Sequence, residues 1–524
     1  MVHYVRLFPA ILWLVGAGAL APVAVRGQEP DGLAVAAALE QVFTQAIEQA
    51  EPSVVSIARI KEAPPRSVFL ERQDFPMIGG NAARDNESDP ENSEFIPNDF
   101  GAGVIVGVDG AGEPGPRKGY ILTNYHVVKG GPVAGREQPG DLKLYVRLAD
   151  RRGYYARIHG ADPRSDLAVL VIDEAELKPI KFADPGKGFK KGQLVLALGN
   201  PYAIARDGSA SVSWGMISNI GRQPELTAPR TPDSPSKEET IHHLGTLLQV
   251  DTRLNLGTSG GALVNMRGEL IGITTSLAAL AGYEKSVGFA VPMDVAMMRI
   301  INTLRQGLEV EYGFLGVQLI PETARATDRR LLRRAGQAGG TQVMTLPNSP
   351  AQQGGVQSGD IVLAVNEAPI LSRRDLTREV GKLAPGEKAR IRLWRASDDA
   401  VLNLEVRLGK WPVVNDEAII AVRRRHDPWQ GLVVDYATAR QKWGDLSSPD
   451  PIYLTELLGA VLVLESLPQS RGALAEIEAG TFITRVNGRK VHTPDEFYQA
   501  VRQAKGTVSL TLLLREKPVL LPAL

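Results

Sequence analysis

At roughly 150 residues per domain, a chain of 524 residues predicts about 3.5 units rather than one core. With 44% hydrophobic and 23% charged residues, 53 glycines and 35 prolines, it is neither collagen-like, nor a disulfide scaffold, nor wholly disordered. Lys+Arg and Asp+Glu both number 59, so the formal net charge of +0 supplies no field to draw in nucleic acid, and Cys 0 removes disulfides, thiolate nucleophiles and Cys-bearing metal sites.

In chain order, residues 7–25 carry no charge, follow Arg6 and lead to the small residue Gly27, which reads as a secretory signal over residues 1–27. The alternative is an uncleaved membrane anchor, since a span needs about 20 apolar residues. Pro9 and Pro22 interrupt the stretch and favour cleavage, so the mature chain is expected to be exported. Leu39, Val42, Phe43, Ala46, Ile47 and Ala50 stand at helical spacing and predict an amphipathic packing helix over residues 32–50.

The 64–97 segment, acidic at 84–94, and the proline-bearing 222–240 segment read as long surface loops. Between and beyond them run short apolar strands at 103–108, 120–124, 142–148, 167–172 and 194–199, then TLLQV and ELIGITTSL. Many strands and few helices predict a sandwich or barrel. A helix is predicted to open at Pro292, bury Val295, Met298, Ile301 and Leu304, and stop at Gly307. After it the chain repeats itself: Val365-Asn366 recurs as Val486-Asn487, Leu376 as Phe497 and Val380 as Val501, each 121 residues on. That period is too long for a solenoid and predicts two copies of one small domain, joined by a linker near 410–428 whose RRRH run at 423–426 is solvated.

Three segments carry chemistry together. His126 follows a strand in YILTNYHVV, Asp166 opens one in DPRSDLAVLVI, and Ser259 lies in the glycine cluster NLGTSGGAL. A serine hydroxyl needs an imidazole to take its proton, and the imidazole needs a carboxylate to fix its tautomer. The glycines suit a turn in which the amides of Gly257 and Ser259 point one way, as an oxyanion hole requires. The order His, Asp, Ser is that of the chymotrypsin-like double barrel, whereas α/β-hydrolases run Ser, Asp, His and subtilisins Asp, His, Ser. GAGVIVG at 101–107 lacks the Lys-Ser/Thr of a phosphate loop and reads as a barrel strand. His242-His243 would point apart on a strand and have no carboxylate at ligand spacing, so they read as a solvated loop pair; neither a metal nor a cofactor is assigned.

TNYHVV, SDLAVL and GTSGGALVN, followed by GFAVP and the two C-terminal copies, resemble the HtrA/Deg family of PDZ-bearing serine proteases from about residue 32 to the end. The resemblance implies a mainly β chain: a chymotrypsin-like double β-barrel over residues 32–306, a first PDZ domain at 312–409 and a PDZ-like second at 429–516. It implies His126 as general base, Asp166 as orienting carboxylate, Ser259 as nucleophile, and Gly257 with Ser259 as oxyanion hole. It further implies an ATP-independent endopeptidase in the periplasm or cell envelope that acts on unfolded or damaged polypeptides. Its pocket would suit small aliphatic side chains, and it would assemble as a trimer or a multiple of one. YGFLGVQL resembles the PDZ carboxylate loop, with Gly313, Phe314, Leu315 and Gly316 taking peptide C-termini. Thr258 departs from the family's usual Asn, and the second copy has GLVVDY where that loop belongs, which puts its peptide binding in question. The competing reading is a proteolytically silent chaperone or PDZ scaffold; the intact His126, Asp166 and Ser259 argue against it.

Overall fold

The computed structural model describes residues 32–61, 90, 99–109, 117–135, 142–174, 176–200, 208–222, 240–254, 257–275, 287–320, 339–414, 416, 418–440, 442, 444, 446, 448 and 450–523. The signal-like stretch, the 64–97 loop apart from residue 90, and the 222–240 loop apart from its two ends lie outside the described residues. None of the described helices is long and apolar enough to cross a membrane.

By contact the chain divides into residues 1–44 and 45–524. Helix α1 (Gly32–Ala50) runs through that division. Its packing is narrower than its periodicity predicts: Ala46 and Ala50 are buried, while Leu39 and Val42 are exposed.

In the second unit, β1 (Val54–Lys61), β2 (Asp99–Asp109), β3 (Lys118–Asn124), β4 (Leu142–Arg147), β5 (Gly153–Asp162) and β6 (Leu167–Ile172) are ordered β5-β4-β1-β2-β3-β6. Pairing of β5 with β6 closes this sheet into a barrel. The short helix α2 (Tyr125–Val128) follows β3. Strand β6 shows why the run LAVLVI has no polar alternation. Ala168, Leu170 and Ile172 fill the barrel, while Leu167, Val169 and Val171 pack outward into the larger shared core.

The second barrel is built from β7 (Leu194–Gly199), β8 (Ser211–Arg222), β9 (Leu247–Val250), β10 (Ala262–Val264), β11 (Leu270–Thr275) and β12 (Gly288–Pro292), and closes through β10 and β7. Val195, Ala197, Ile217, Leu248, Val250, Leu263, Ile271 and Ala290 fill it. Between the barrels, Val104, Leu122, Leu196, Leu198 and Ala262 join helix α3 (Val295–Arg305) in one core. Each such Val or Leu side chain, fully buried, is worth about 1.5–3 kcal/mol.

Helix α3 corrects the predicted register. Pro292 ends β12, Asp294 caps the helix by accepting from the Met297 amide at 2.9 Å, and Val295 is exposed. Met297, Ile300, Ile301 and Leu304 are the buried positions, so the apolar stripe is rotated from the expected one.

Two smaller sheets follow. Strand β13 (Gly313–Phe314) leads to the first, whose path β14-β15-β16-β18-β19 comprises β14 (Val317–Leu319), β15 (Thr341–Thr345), β16 (Ile361–Val365), β18 (Lys388–Arg395) and β19 (Ala400–Arg407). Strand β17 (Ala368–Pro369) pairs with β16, and helices α4 (Pro350–Gln353) and α5 (Arg373–Gly381) complete this unit. Strands β20 (Gly409–Lys410) and β21 (Ile420–Ala421) pair back onto β13 and onto β5 of the first barrel.

The second sheet runs β22 (Leu432–Tyr436), β23 (Val461–Ser466), β24 (Phe482–Val486), β26 (Thr507–Leu512) and β27 (Val519–Pro522), with β25 (Arg489–Lys490) on β24. Its helices are α6 (Pro451–Leu458), α7 (Arg471–Leu474) and α8 (Pro494–Gln503). The sequence repeat is a structural repeat. Asn366 and Asn487 both turn at positive φ, 45° and 49°, and their side chains accept from the amides of Arg390 and Ser509. Ser349 and Ser470 cap α4 and α7, Ser372 and Thr493 cap α5 and α8, and Leu376, Val380, Phe497 and Val501 are buried.

The stretch expected as a linker is packed along its length. Trp411 N donates to Tyr312 O at 2.7 Å and Arg423 N to Gly307 O at 2.9 Å. The RRRH run is correspondingly engaged: Arg424 pairs with Glu465 at 2.6 Å, Arg425 with Glu311 at 2.8 Å, and the His426 ring stacks on Tyr498 with centroids 4.4 Å apart. At the centre Lys410, 1% exposed, sets its ammonium 3.0 Å from Glu309, 3.0 Å from Glu311 and 2.7 Å from Asp435.

Candidate active site

The strand β3 ends in Thr123 and Asn124, and α2 turns His126 back over the loop between β5 and β6, residues 163–166. Asp166, at 2% exposure, is the last residue of that loop and has φ +52°, a left-handed conformation that costs a non-glycine residue about 1–2 kcal/mol. Its surroundings hold it there. The Asp166 carbonyl accepts from Tyr125 N at 2.9 Å and Asn124 Nδ2 at 3.1 Å. The carboxylate accepts from the His126 amide at 3.0 Å, and His126 Nδ1 lies 2.8 Å from Oδ2 and 3.0 Å from Oδ1. A carboxylate there keeps the ring proton on Nδ1 and leaves Nε2 as an acceptor.

Ser259, 4% exposed, comes from the second barrel, in the loop between β9 and β10. Its carbonyl accepts from Ala102 N of β2 at 2.8 Å, which binds the serine loop to the first barrel. A Cβ on Gly101 would stand 2.5 Å from Val127 Cγ1 and 3.3 Å from Ser259 O, so the glycine lets the serine loop and the residue next to His126 meet. The loop is a tight turn: Gly261 N donates to Thr258 O at 2.9 Å, Thr274 Oγ1 to the same carbonyl at 2.5 Å, and Gly260 N to Thr274 O at 2.9 Å. Gly257 and Gly260 have φ of +91° and +86°. A Cβ on Gly260 would lie 2.1 Å from Ala102 O and 2.3 Å from Thr123 Oγ1, so only glycine fits. Thr258, the departure from the family pattern, is buried and supplies the turn's acceptor carbonyl through its main chain.

The structure thus pairs His126 with Asp166 and sets the serine loop, with Gly257 and Ser259, against β2 of the first barrel, near Val127. The PDZ-type residues Gly313, Phe314, Leu315 and Gly316 lie on the separate β13–β14 segment. Two groups of supporting residues were not found from sequence. Asp162, fully buried, receives the Tyr312 hydroxyl, the Arg164 Nε at 2.8 Å and the Ser165 amide at 3.1 Å. Burial, reinforced by that carboxylate, pushes the Tyr312 phenol well above its ordinary range, so it stays a donor.

The second is His242, and it corrects the expected solvated pair. It sits on a 3-10 turn, Ile241–Leu244, with no exposed surface, and its ring bonds Thr246 Oγ1 at 2.7 Å and Ser165 O at 2.8 Å. The side chain of His243 lies outside the described residues.

Two closed antiparallel barrels with His and Asp on the first and Ser on the second define a trypsin-like serine peptidase, here followed by PDZ-type sheets. Residues 101–273 match the trypsin-like peptidase domain family, and residues 313–408 match the PDZ domain family. The chain is 30% identical over 509 residues to a probable periplasmic serine endoprotease, DegP-like, of Pseudomonas fluorescens, covering 94% of each. It is 32% identical over 383 residues to a probable serine protease do-like of Buchnera aphidicola, covering 69% of this chain and 70% of that one. A solved HtrA-type protease, AlgW with tripeptide, is 26% identical over 71% of this chain and 98% of its own, at a TM-score of 0.47. The chain belongs to the HtrA/Deg family of PDZ-bearing serine proteases and is a serine endopeptidase.

Proposed function

We propose that Ser259 is the nucleophile, His126 the general base and Asp166 the residue that orients it. Ser259 Oγ adds to the scissile carbonyl carbon as its proton passes to His126 Nε2. The amides of Gly257 and Ser259 receive the oxyanion. Collapse expels the amine, which takes the proton from His126, and leaves an acyl-enzyme; water, activated by the same imidazole, then releases the acid. The observation that carries this reading is the pair of contacts from Asp166 to His126, at the backbone amide and at Nδ1, facing a serine loop bonded to β2.

Substrates are unfolded or damaged polypeptides in the periplasm, where the similar Pseudomonas proteins are named as acting, and the N-terminus directs export, with retention as an anchor through residues 7–25 the alternative. The working form is a homo-oligomer, a trimer or a multiple, supported by the resemblance and by the exposed apolar Leu33, Val35, Leu39 and Val42 of α1.

The first PDZ-type unit is the one that takes peptide C-termini. The Leu315 carbonyl accepts from Ala351 N at 2.8 Å and the Gly316 carbonyl from Leu346 N at 3.0 Å. In a trans peptide the amide points opposite its carbonyl, so the Gly316 and Val317 amides face away from those partners, as a carboxylate receptor needs. The edge strand β14 lies beside them, and a peptide can add to it.

In the second unit Gln430 and Gly431 make the same two carbonyl contacts, to Gly472 N and Leu467 N, both at 2.9 Å, but two of the amides a peptide would need are already bonded. Leu432 N donates to Trp429 O at 2.8 Å, and the strand-edge amide of Val434 donates to the Tyr498 hydroxyl at 3.0 Å. Thr377 stands at the matching position of the first unit and is too short to do this.

The decisive experiment incubates the purified protein and Ser259→Ala with casein at several pH values and temperatures, alongside labelling by a phosphonate serine-hydrolase probe. Cleavage and labelling by the wild type alone are expected. If both proteins leave casein intact and unlabelled while both suppress aggregation, the chaperone reading replaces this one.

A further inference from the structure

We infer that His242 is a positioning residue for the catalytic aspartate, an inference that rests on the triad reading above. The Ser165 carbonyl only accepts, so the 2.8 Å contact requires the proton on His242 Nε2. In the neutral ring Nδ1 then accepts from the Thr246 hydroxyl at 2.7 Å. The Ser165 carbonyl therefore fixes the tautomer of His242 much as Asp166 fixes that of His126, and Thr246 holds the opposite edge of the ring.

What His242 grips is the peptide plane between Ser165 and Asp166. Rotation about the N–Cα bond of Asp166 sets its φ, and that φ is the left-handed +52°. The downstream carbonyl of Asp166 is held by Tyr125 N and Asn124 Nδ2, and its carboxylate by His126. Upstream, Ser165 N is held by Asp162 at 3.1 Å, Ile241 N donates to Arg164 O at 2.7 Å, and His242 holds Ser165 O. His242 is thus the side-chain clamp that keeps the Ser165–Asp166 peptide in the one orientation from which the carboxylate meets both His126 Nδ1 and the His126 amide. It touches neither substrate nor reacting atoms.

The test compares the full-length wild type, His242→Phe, His242→Gln and Thr246→Val. Each is assayed for kcat and KM on a peptide substrate, with kcat normalised to the fraction of Ser259 that takes the phosphonate probe. Phe keeps a flat ring of similar size without the N–H, whereas Gln places an amide N–H about where Nε2 stands. Misplacement of one catalytic group costs up to about 100-fold in rate. The expected result is a fall of about 10- to 100-fold in normalised kcat for H242F at unchanged KM, with H242Q restoring most of it.

Equal normalised kcat for H242F and wild type overturns the inference, because a merely structural role would lower the labelled fraction and leave each labelled site at full rate. If H242F does not fold, T246V carries the decision: a few-fold loss of normalised kcat supports the clamp, and none overturns it. Absence of cleavage and labelling in the wild type itself would instead refute the triad reading.

Discussion

Asp166 holds His126 twice, accepting from its backbone amide at 3.0 Å and facing its Nδ1 at 2.8 Å. Only an acceptor at both points selects the Nδ1–H tautomer. Asp166→Asn would keep the shape but present an N–H to Nδ1 and reverse the ring's proton. We expect kcat to fall by about 10⁴-fold, with KM little changed and circular dichroism unaltered. A loss below tenfold would mean that the carboxylate does not set the tautomer.

The serine loop makes a backbone prediction. Gly260 has φ +86°, with Ala102 O where its Cβ would be. Gly260→Ala must move the loop or strain it by about 1–3 kcal/mol. Ser259 is then displaced from the junction. Phosphonate labelling should drop at least tenfold while thermal unfolding shifts only a few degrees. Labelling at the wild-type rate would show that the turn is not what places the serine.

These effects divide along what a sequence can carry. The strand β6 was readable as LAVLVI because both of its faces are buried, and the proposed triad came from the sequence because His126 and Ser259 lie in local motifs whose residue types the chemistry demands. Strand β8 was not readable, since Ser211, Ser213 and Gly215 interrupt its apolar residues and the apolar Val212, Trp214 and Met216 are on the exposed face, the reverse of the usual alternation. His242 follows a proline-rich stretch, and its bond to Ser165 reaches 77 residues back along the chain. The packing of residues 410–428 was hidden for the same reason: Lys410 looks like any surface lysine until Glu309, Glu311 and Asp435 arrive from elsewhere in the chain. By contrast, the 121-residue repeat was legible because Asn366 and Asn487, turning at positive φ, are local requirements of one turn.

The bonded Leu432 and Val434 amides of the second unit predict stoichiometry. Titration with a peptide ending in a free hydrophobic residue should show one site per chain. Gly316→Ala, whose Cβ would lie 2.4 Å from Ser349 Cβ at φ +75°, should abolish it. Gly431→Ala, equally crowded against Ser470, should leave it intact. Two sites in the wild type, or loss with Gly431→Ala, would show that Tyr498 does not close the second edge.

The buried cluster around Lys410 gives a prediction with a definite pH sign. Burial pushes the Glu309 carboxyl up, but the Lys410 ammonium and the Arg440 guanidinium outweigh it and hold it down at about 2, against an ordinary 4.5. Its contribution to stability is therefore present above about 4.5 and is lost as pH falls toward 2. Burial opposes the Lys410 charge, yet Asp435, Glu309 and Glu311 raise its pKa, so its contribution is complete below 10.5 and fades only at higher pH. Asp435 runs the other way: burial, with Glu309 and Glu311 beside it, outweighs Lys410 and pushes it up, so part of the stability gained elsewhere is spent on its charge. Lys410→Met removes the cation beside buried Asp435 and leaves Glu309 and Glu311 to Arg440 and Arg425, and should cost about 3–5 kcal/mol. Adding Asp435→Asn should recover part of that loss. Limited proteolysis should cut the 410–428 stretch in K410M at pH 7, and in the wild type only as pH falls below about 4.5, where Glu309 begins to lose its contribution. Equal resistance of K410M and wild type at pH 7 would show that the cluster does not hold the 410–428 stretch in place.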